Sequence, residues 1–191
     1  MLKLLGRLIL LLLGWKPEGP VPSHEKCVMI AAPHTSNWDL VITLALTHVM
    51  GRPIRWMGKD AIFRFPFGWI MRQLGGIPVD RSAHHNLVHY TADYIRKHKE
   101  PLIITVPAEA TRSRADYWKS GFYHIAMEAG VPVYLGYLDY RRRRGGYGPA
   151  IRLTGNQRAD MDLIREFYRD KTAKYPEEFG PIRLRDEELA A

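Results

Sequence analysis

Six apolar residues in succession, Cys27-Val28-Met29-Ile30-Ala31-Ala32, halted by Pro33, constrain the fold of this chain more than any other feature. A short apolar run ended by proline reads as a buried strand. The segments after it alternate in type. The pattern predicts a helix over 37–50, a strand over 54–57, short helices in the aromatic stretch 63–74, a short strand over 77–79 and a helix over 84–98. On that helix Leu87, Thr91, Tyr94 and Ile95 recur at helical spacing. A strand rich in β-branched residues follows over 101–106, then a helix over 119–129 stopped by Gly130 and Pro132. Strands over 133–140 and 150–154 flank a basic, glycine-rich turn, and a last helix over 161–174 precedes a polar tail. This alternation predicts an α/β protein, a single domain with a mixed central sheet flanked by helices. With 191 residues, 46% of them hydrophobic and 11% aromatic, the chain has ample material for one core and too little for two. The expected boundaries are an N-terminal helix over 1–15, a main domain over 23–180 and a tail over 181–191, with residues 17–22 as a Pro/Gly-rich link.

The balance of 28 Lys and Arg against 20 Asp and Glu leaves a formal charge of +8, which favours partners that carry phosphate. Charge alone does not choose among anionic lipid, nucleic acid and a phosphorylated substrate. The single cysteine, Cys27, lies inside the apolar run, so an intramolecular disulfide is impossible and a buried, inert thiol is expected. At the N-terminus, MLKLLGRLILLLLGW, the apolar run from Leu8 to Leu13 is too short to span a hydrocarbon core of ~30 Å. On a helical wheel Lys3 and Arg7 share a strip with Gly14, while Leu5, Leu8, Ile9, Leu12 and Leu13 crowd the other side. That is the pattern of a helix lying in a membrane interface. A signal-like segment, for which no small-x-small cleavage site follows, and an ordinary core helix are the rival readings.

The segment Pro33-His34-Thr35-Ser36-Asn37-Trp38-Asp39 carries the most chemistry. On one continuous helix a separation of five residues would turn the His34 and Asp39 side chains ~140° apart. For the two to meet, His34 must lie in the loop after the strand and Asp39 in the first turn of the next helix, capped by Ser36. There the macrodipole favours the ionised carboxyl, which could accept the imidazole N–H and leave the other ring nitrogen as a base. A serine/aspartate cap beside an incidental histidine explains the same residues equally well.

The His-x4-Asp pattern resembles the first motif of the glycerolipid acyltransferases, the lysophosphatidic acid acyltransferase family, and further matches follow in order. Gly58-Lys59 with Phe65-Pro66-Phe67-Gly68 resembles the family's Gly-Lys and Pro-Phe-x-Gly stretch. Gly76-Ile77-Pro78-Val79-Asp80-Arg81 resembles its second motif, Glu109-Ala110-Thr111-Arg112-Ser113 its third, and Val131-Pro132-Val133 its fourth. Two departures stand out: Pro33 replaces the asparagine usual before the histidine, and Ala108-Glu109-Ala110 replaces Pro-Glu-Gly. The second puts a methyl where the family has the freedom of glycine.

The resemblance implies an O-acyltransferase with no metal and no cofactor. It would move a fatty acyl group from acyl-CoA or an acyl carrier protein thioester to a glycerolipid hydroxyl, 1-acyl-glycerol-3-phosphate being the expected lysophospholipid acceptor. His34 would be the base, Asp39 its orienting partner and Lys59 the oxyanion donor. Arg81, Glu109, Thr111 and Arg112 would bind substrate, the arginines reading a phosphate through bidentate forks and Glu109 positioning neighbours rather than facing the anion. An anionic membrane surface is the expected partner and its cytoplasmic face the expected location, with peripheral or monotopic attachment and no nucleic acid. A catalytically silent relative that binds lipid or nucleic acid is the alternative.

Other signals are weaker. His85 and His89, four apart, read as exposed histidines rather than zinc ligands, and His124 as a packed core histidine. Arg141 to Arg144, with Gly145-Gly146-Tyr147-Gly148, read as a turn that touches phospholipid headgroups. No Gly-x-Ser-x-Gly elbow is present, so a serine hydrolase lacks its nucleophile.

Overall fold

In the computed structural model, which describes residues 1–79 and 87–189, the strands are β1 (Lys16–Glu18), β2 (Lys26–Ala32), β3 (Arg55–Lys59), β4 (Gly76–Val79), β5 (Leu102–Pro107), β6 (Val133–Asp139) and β7 (Arg144–Ile151). They form one sheet in the order β1-β7-β6-β2-β5-β3-β4. Pairings from β6 through β2, β5 and β3 to β4 are parallel, β6 and β7 are antiparallel, and β1 lies parallel to β7. The helices are α1 (Leu2–Leu13), α2 (Trp38–Val49), α3 (Gly68–Gln73), α4 (Leu87–Lys97), α5 (Gly121–Ala129), α6 (Gln157–Tyr168) and α7 (Asp186–Leu189). The expected single α/β domain with a mixed, helix-flanked sheet is therefore the fold.

The strand period of two divides the core between the sheet's faces. Val28, Ile30, Leu102, Ile104, Val133 and Leu135 point to one face, where Ile95 of α4, Phe122 of α5 and Ile164 of α6 cover them. Cys27, Met29, Ile103 and Tyr134 point to the other, toward Leu44 of α2. Central strands buried on both faces explain why their sequences are apolar without alternation. Cys27 is fully buried, and burial pushes its thiol up to about 12, so it is the inert thiol expected.

α1 packs on α2. Gly6 and Leu10 are its buried residues, and a Cβ at Gly6 would stand 3.0 Å from the Ala45 carbonyl, so glycine permits the close crossing. Leu10 and Trp15 join Ile42, Ala45, Leu46 and Leu138 in a separate apolar cluster. Leu4, Leu5, Leu8, Leu11 and Leu12 remain exposed.

Several sequence expectations change. Residues 17 and 18, read as part of a link, form an edge strand together with Lys16. The basic, glycine-rich segment is mostly β7 rather than a turn, because Gly145, Gly146 and Gly148 sit where a Cβ would meet the Tyr137, Glu18 and Leu135 carbonyls. Arg142 and Arg144 pair with Glu18 at 3.5 and 3.8 Å, and Arg143 donates to the Leu13 carbonyl at the end of α1. The last long helix begins earlier than expected, with Asn156 capping the Ala159 amide, and ends at Tyr168. The segment read as a polar tail packs onto the domain: Leu184 is fully buried and Glu187 pairs with Arg165 at 2.9 Å. His124 is exposed, since Phe122, Tyr123, Ile125 and Ala126 take the inward positions of α5. His89 is exposed and pairs with Glu128, whereas His85 and the first residues of the helix expected over 84–98 lie outside the described residues.

Asp160 ties α6 to α5. Only 1% exposed, it accepts the Tyr123 hydroxyl at 2.7 Å, the Thr154 amide at 3.0 Å and the Thr154 hydroxyl at 2.9 Å. Asp160→Ala leaves these donors buried without partners and is expected to cost about 2–4 kcal/mol. Urea denaturation checks this; an unchanged midpoint would show that the network contributes nothing net.

Candidate active site

Four parallel strands end at one edge of the sheet, and each delivers a polar group there. β2 runs into the loop that holds His34, β3 ends on Lys59, β5 leads to Glu109 and Arg112, and β6 leads to Tyr140. Loops at the carboxyl ends of parallel strands are where an open α/β sheet presents its ligands.

Asp39 lies in the first turn of α2 and is 4% exposed. Its Oδ2 accepts the Thr35 and Ser36 amides, both at 2.8 Å, and Ser36 Oγ accepts the Trp38 amide at 3.2 Å. Oδ1 accepts the Tyr140 hydroxyl at 2.5 Å. The Nδ1 atom of His34 stands 3.4 Å from Oδ2, an ion-pair separation just beyond the ~2.6–3.2 Å of a close catalytic hydrogen bond. With Nδ1 turned toward Asp39, Nε2 is the ring nitrogen left for a reactant, and the imidazole is 23% exposed.

Glu109 stands behind this loop. It is 2% exposed, and its Oε1 accepts the His34 amide at 2.7 Å while Oε2 has no hydrogen-bond partner among the described residues. Burial raises its carboxyl from 4.5 to about 8; the bond from the His34 amide opposes the rise, and the nearby Asp39 charge adds to it. Glu109, expected to position its neighbours rather than to face the acceptor's anion, is absent from the cavity lining and holds the His34 backbone. Ala110, which follows it, adopts φ 57°. A methyl in this left-handed conformation costs about 1 kcal/mol relative to glycine, a strain placed directly beside the site.

A cavity of about 550 Å³ opens at this edge. His34, Asp39, Lys59, Thr111 and Arg112 line its polar part, and Met29, Leu40, Leu46, Ile54, Trp56 and Leu138 its apolar part. Lining residues extend along β3 from Lys59 back to Ile54, five steps or about 16 Å. The exposed Lys59 and Arg112 are brought to the same space as His34, and Arg112 donates to Asn37 Oδ1 rather than pairing with Glu109. Thr111 Oγ1 accepts the Ser113 amide at 3.2 Å. Arg81 lies outside the described residues. Sequence reasoning passed over Tyr140, whose only signal was its place just after a buried strand, the same place His34 occupies. Among the described residues no cluster of three His, Cys, Asp or Glu side chains is gathered as metal ligands.

The Glu109 geometry has a measurable consequence. The unfolded chain releases this proton near 4.5 and the folded chain keeps it to about 8, so the folded state binds more protons between these values. Its contribution to stability therefore falls as pH rises through that window, by up to about 5 kcal/mol in total. Glu109→Gln keeps the acceptor for His34 and is expected to flatten the slope and to be the more stable protein at pH 8. Denaturation midpoints from pH 5 to 8 test this, and parallel profiles for the two proteins would contradict it.

Among curated proteins none matches the chain in sequence. The crystal structure of the 1-acyl-sn-glycerophosphate (LPA) acyltransferase PlsC from Thermotoga maritima is similar in fold, with a TM-score of 0.60 at 15% identity over 91% of this chain and 79% of that one. The Acyltransferase family model matches residues 17–134, more than half of the chain, and includes the segments that carry His34, Asp39, Lys59 and Arg112. This chain belongs to the acyltransferase family.

Proposed function

We propose that the protein transfers a fatty acyl group from a thioester donor, acyl-CoA or an acyl carrier protein, to a hydroxyl of a glycerolipid acceptor, 1-acyl-glycerol-3-phosphate being the acceptor of choice. The observation that carries this is the position of the His34–Asp39 pair on the wall of a long, largely apolar cavity. The apolar part suits the acyl chain and the polar part the reacting groups. His34 Nε2 takes the proton of the acceptor hydroxyl as its oxygen attacks the thioester carbonyl. Asp39 steadies the imidazolium, Lys59 donates to the developing oxyanion, and collapse of the tetrahedral adduct expels the thiolate, which recovers the proton from His34. No acyl-enzyme forms. Arg112, set beside Asn37 at the start of α2, and Arg81 present forks to the acceptor phosphate.

His34→Ala is expected to abolish thioester turnover while leaving the protein folded, because the part-exposed ring lies outside the three apolar clusters of the core. Asp39→Asn should lose about 10⁴-fold, by analogy with the same change in a histidine–aspartate pair elsewhere. Full turnover by folded His34→Ala protein would sink the mechanism, and turnover absent from the intact protein would favour a silent lipid-binding relative.

The same reading places the protein on an anionic membrane, supported by the exposed leucines of α1 beside Lys3 and Arg7. No described helix is long and apolar enough to cross a membrane. Each leucine that enters the interface contributes up to about 1.5–3 kcal/mol. Replacing Leu8, Leu11 and Leu12 by Ser should abolish flotation with phosphatidylglycerol/phosphatidylcholine vesicles without lowering thermal stability. Undiminished flotation of that variant would refute α1 as the anchor.

A further inference from the structure

Asp39 has a partner outside the ordered motifs and outside the segment matched by the family model, which ends at residue 134. Tyr140 follows β6 directly, and its hydroxyl donates to Asp39 Oδ1 at 2.5 Å, the oxygen that does not face His34. The phenol is half-buried, and burial, reinforced by the bond to Asp39, pushes its ionisation far above the physiological range, so it remains a donor. On its other side the ring meets Trp15 edge-on, with centroids 4.9 Å apart and planes at 85°. Trp15 is 6% exposed and its amide donates to the Leu10 carbonyl at 2.8 Å, so it is fixed to the last turn of α1. The Tyr140 amide in turn donates to the Thr172 carbonyl at 2.9 Å. The ring is thus gripped at its backbone and its face, and its hydroxyl is free to serve Asp39 alone.

We propose that Tyr140 is a positioning residue of the catalytic pair, the third member of a line His34–Asp39–Tyr140, and that Trp15 fixes it, so that the seating of α1 sets the geometry of the base. This rests on the acyltransferase reading only for its kinetic consequence. The hydroxyl has two effects on the carboxylate. It locks the rotation that would carry Oδ2 away from His34, and it neutralises part of the charge that the imidazole faces. The other ionisable groups around Asp39 are His34 in the loop after β2, Glu109 in the loop after β5 and, beyond Tyr140, Tyr175 in the C-terminal segment. Of these, Tyr140 is the one that donates to the carboxylate from a different strand.

Tyr140→Phe retains the ring against Trp15 and is expected to fold. In the full-length protein, titration of the His34 imidazole by NMR, assigned by comparison with His34→Gln, should show its pKa raised by about half a pH unit, because the carboxylate it faces carries its full charge. With acyl-CoA and lysophosphatidic acid in detergent micelles, kcat should fall about tenfold with KM for both substrates unchanged, since binding groups are untouched and only the alignment of the base is lost. Trp15→Leu should move both readouts toward those of Tyr140→Phe, and the double variant should add little to either. An unchanged imidazole titration with unchanged kcat in Tyr140→Phe, even with a lower melting temperature, would reduce Tyr140 to a packing residue and overturn the proposal. Wild-type values of both readouts in Trp15→Leu would overturn the link to α1. Absence of turnover in the wild-type protein would overturn the acyltransferase reading instead, and the titration would still decide the role of Tyr140.

Discussion

Asp39 is a carboxylate withdrawn from water, and the architecture of the site follows from what that withdrawal costs. A buried charge without partners is unfavourable by several kcal/mol. Here the cost is offset by two backbone amides on one oxygen, a phenol on the other, and the N-terminal end of α2 behind them. The amides belong to Thr35 and Ser36, the residues immediately after His34. The bonds to Asp39 therefore also bend the chain that carries the imidazole, and neither half of the pair can shift without disturbing the other. Glu109 completes the arrangement from below by taking the His34 amide itself. Three consecutive amides, those of residues 34, 35 and 36, are thus committed to two carboxyl groups.

The sheet makes this local economy possible. β2 is hydrogen-bonded to β5 on one side and β6 on the other, in parallel. The loops that follow all three strands therefore emerge side by side, and residues 34, 109 and 140, far apart in sequence, become neighbours through register alone. Parallel pairing also requires both faces of these strands to be covered, which supplies α2 as one wall of the cavity. Because α2 begins two residues after the loop it helps to fix, the helix that provides the acid also encloses the apolar space behind it.

How much of this could be read in the sequence follows from how local each determinant is. The His34–Asp39 segment was legible as two alternatives, a base with its partner or a helix cap beside an incidental histidine, between which only the folded loop decides, and β2, β5 and β6 were legible because a strand buried on both faces must be apolar throughout. β1 and β7 were not. Their composition, rich in proline, glycine and arginine, reads as loop, and only the close approach of neighbouring carbonyls explains why glycine belongs in those strand positions. His124 was misjudged because the apolar residues beside it suggested a buried surround, whereas the helix turns it outward. Glu109 was placed within its motif correctly, but burial is a property of the packed loop, and nothing in the string of residues distinguishes a carboxyl facing substrate from one facing a backbone amide. Tyr140 lies still further from sequence-level sight, since its significance depends on a strand pairing and on the end of a helix 125 residues earlier.

α1 illustrates how one short helix can satisfy two opposed demands. Its inner stripe, Gly6 and Leu10 with Trp15 beyond, is committed to α2 and to the end of β6, so lifting α1 away would expose Ile42, Leu46 and Leu138. Its outer leucines, Leu4, Leu5, Leu8, Leu11 and Leu12, are exposed. At 12 residues it is about 18 Å long, well short of a bilayer core, so a bilayer could receive the outer face only with the helix lying flat. Such contact would need no unpacking. On the proposed reading, a flat helix held on α2 would fix the orientation of the whole domain, because Asp39 lies in the first turn of α2 and Trp15, just after α1, packs edge-on against the Tyr140 that donates to Asp39.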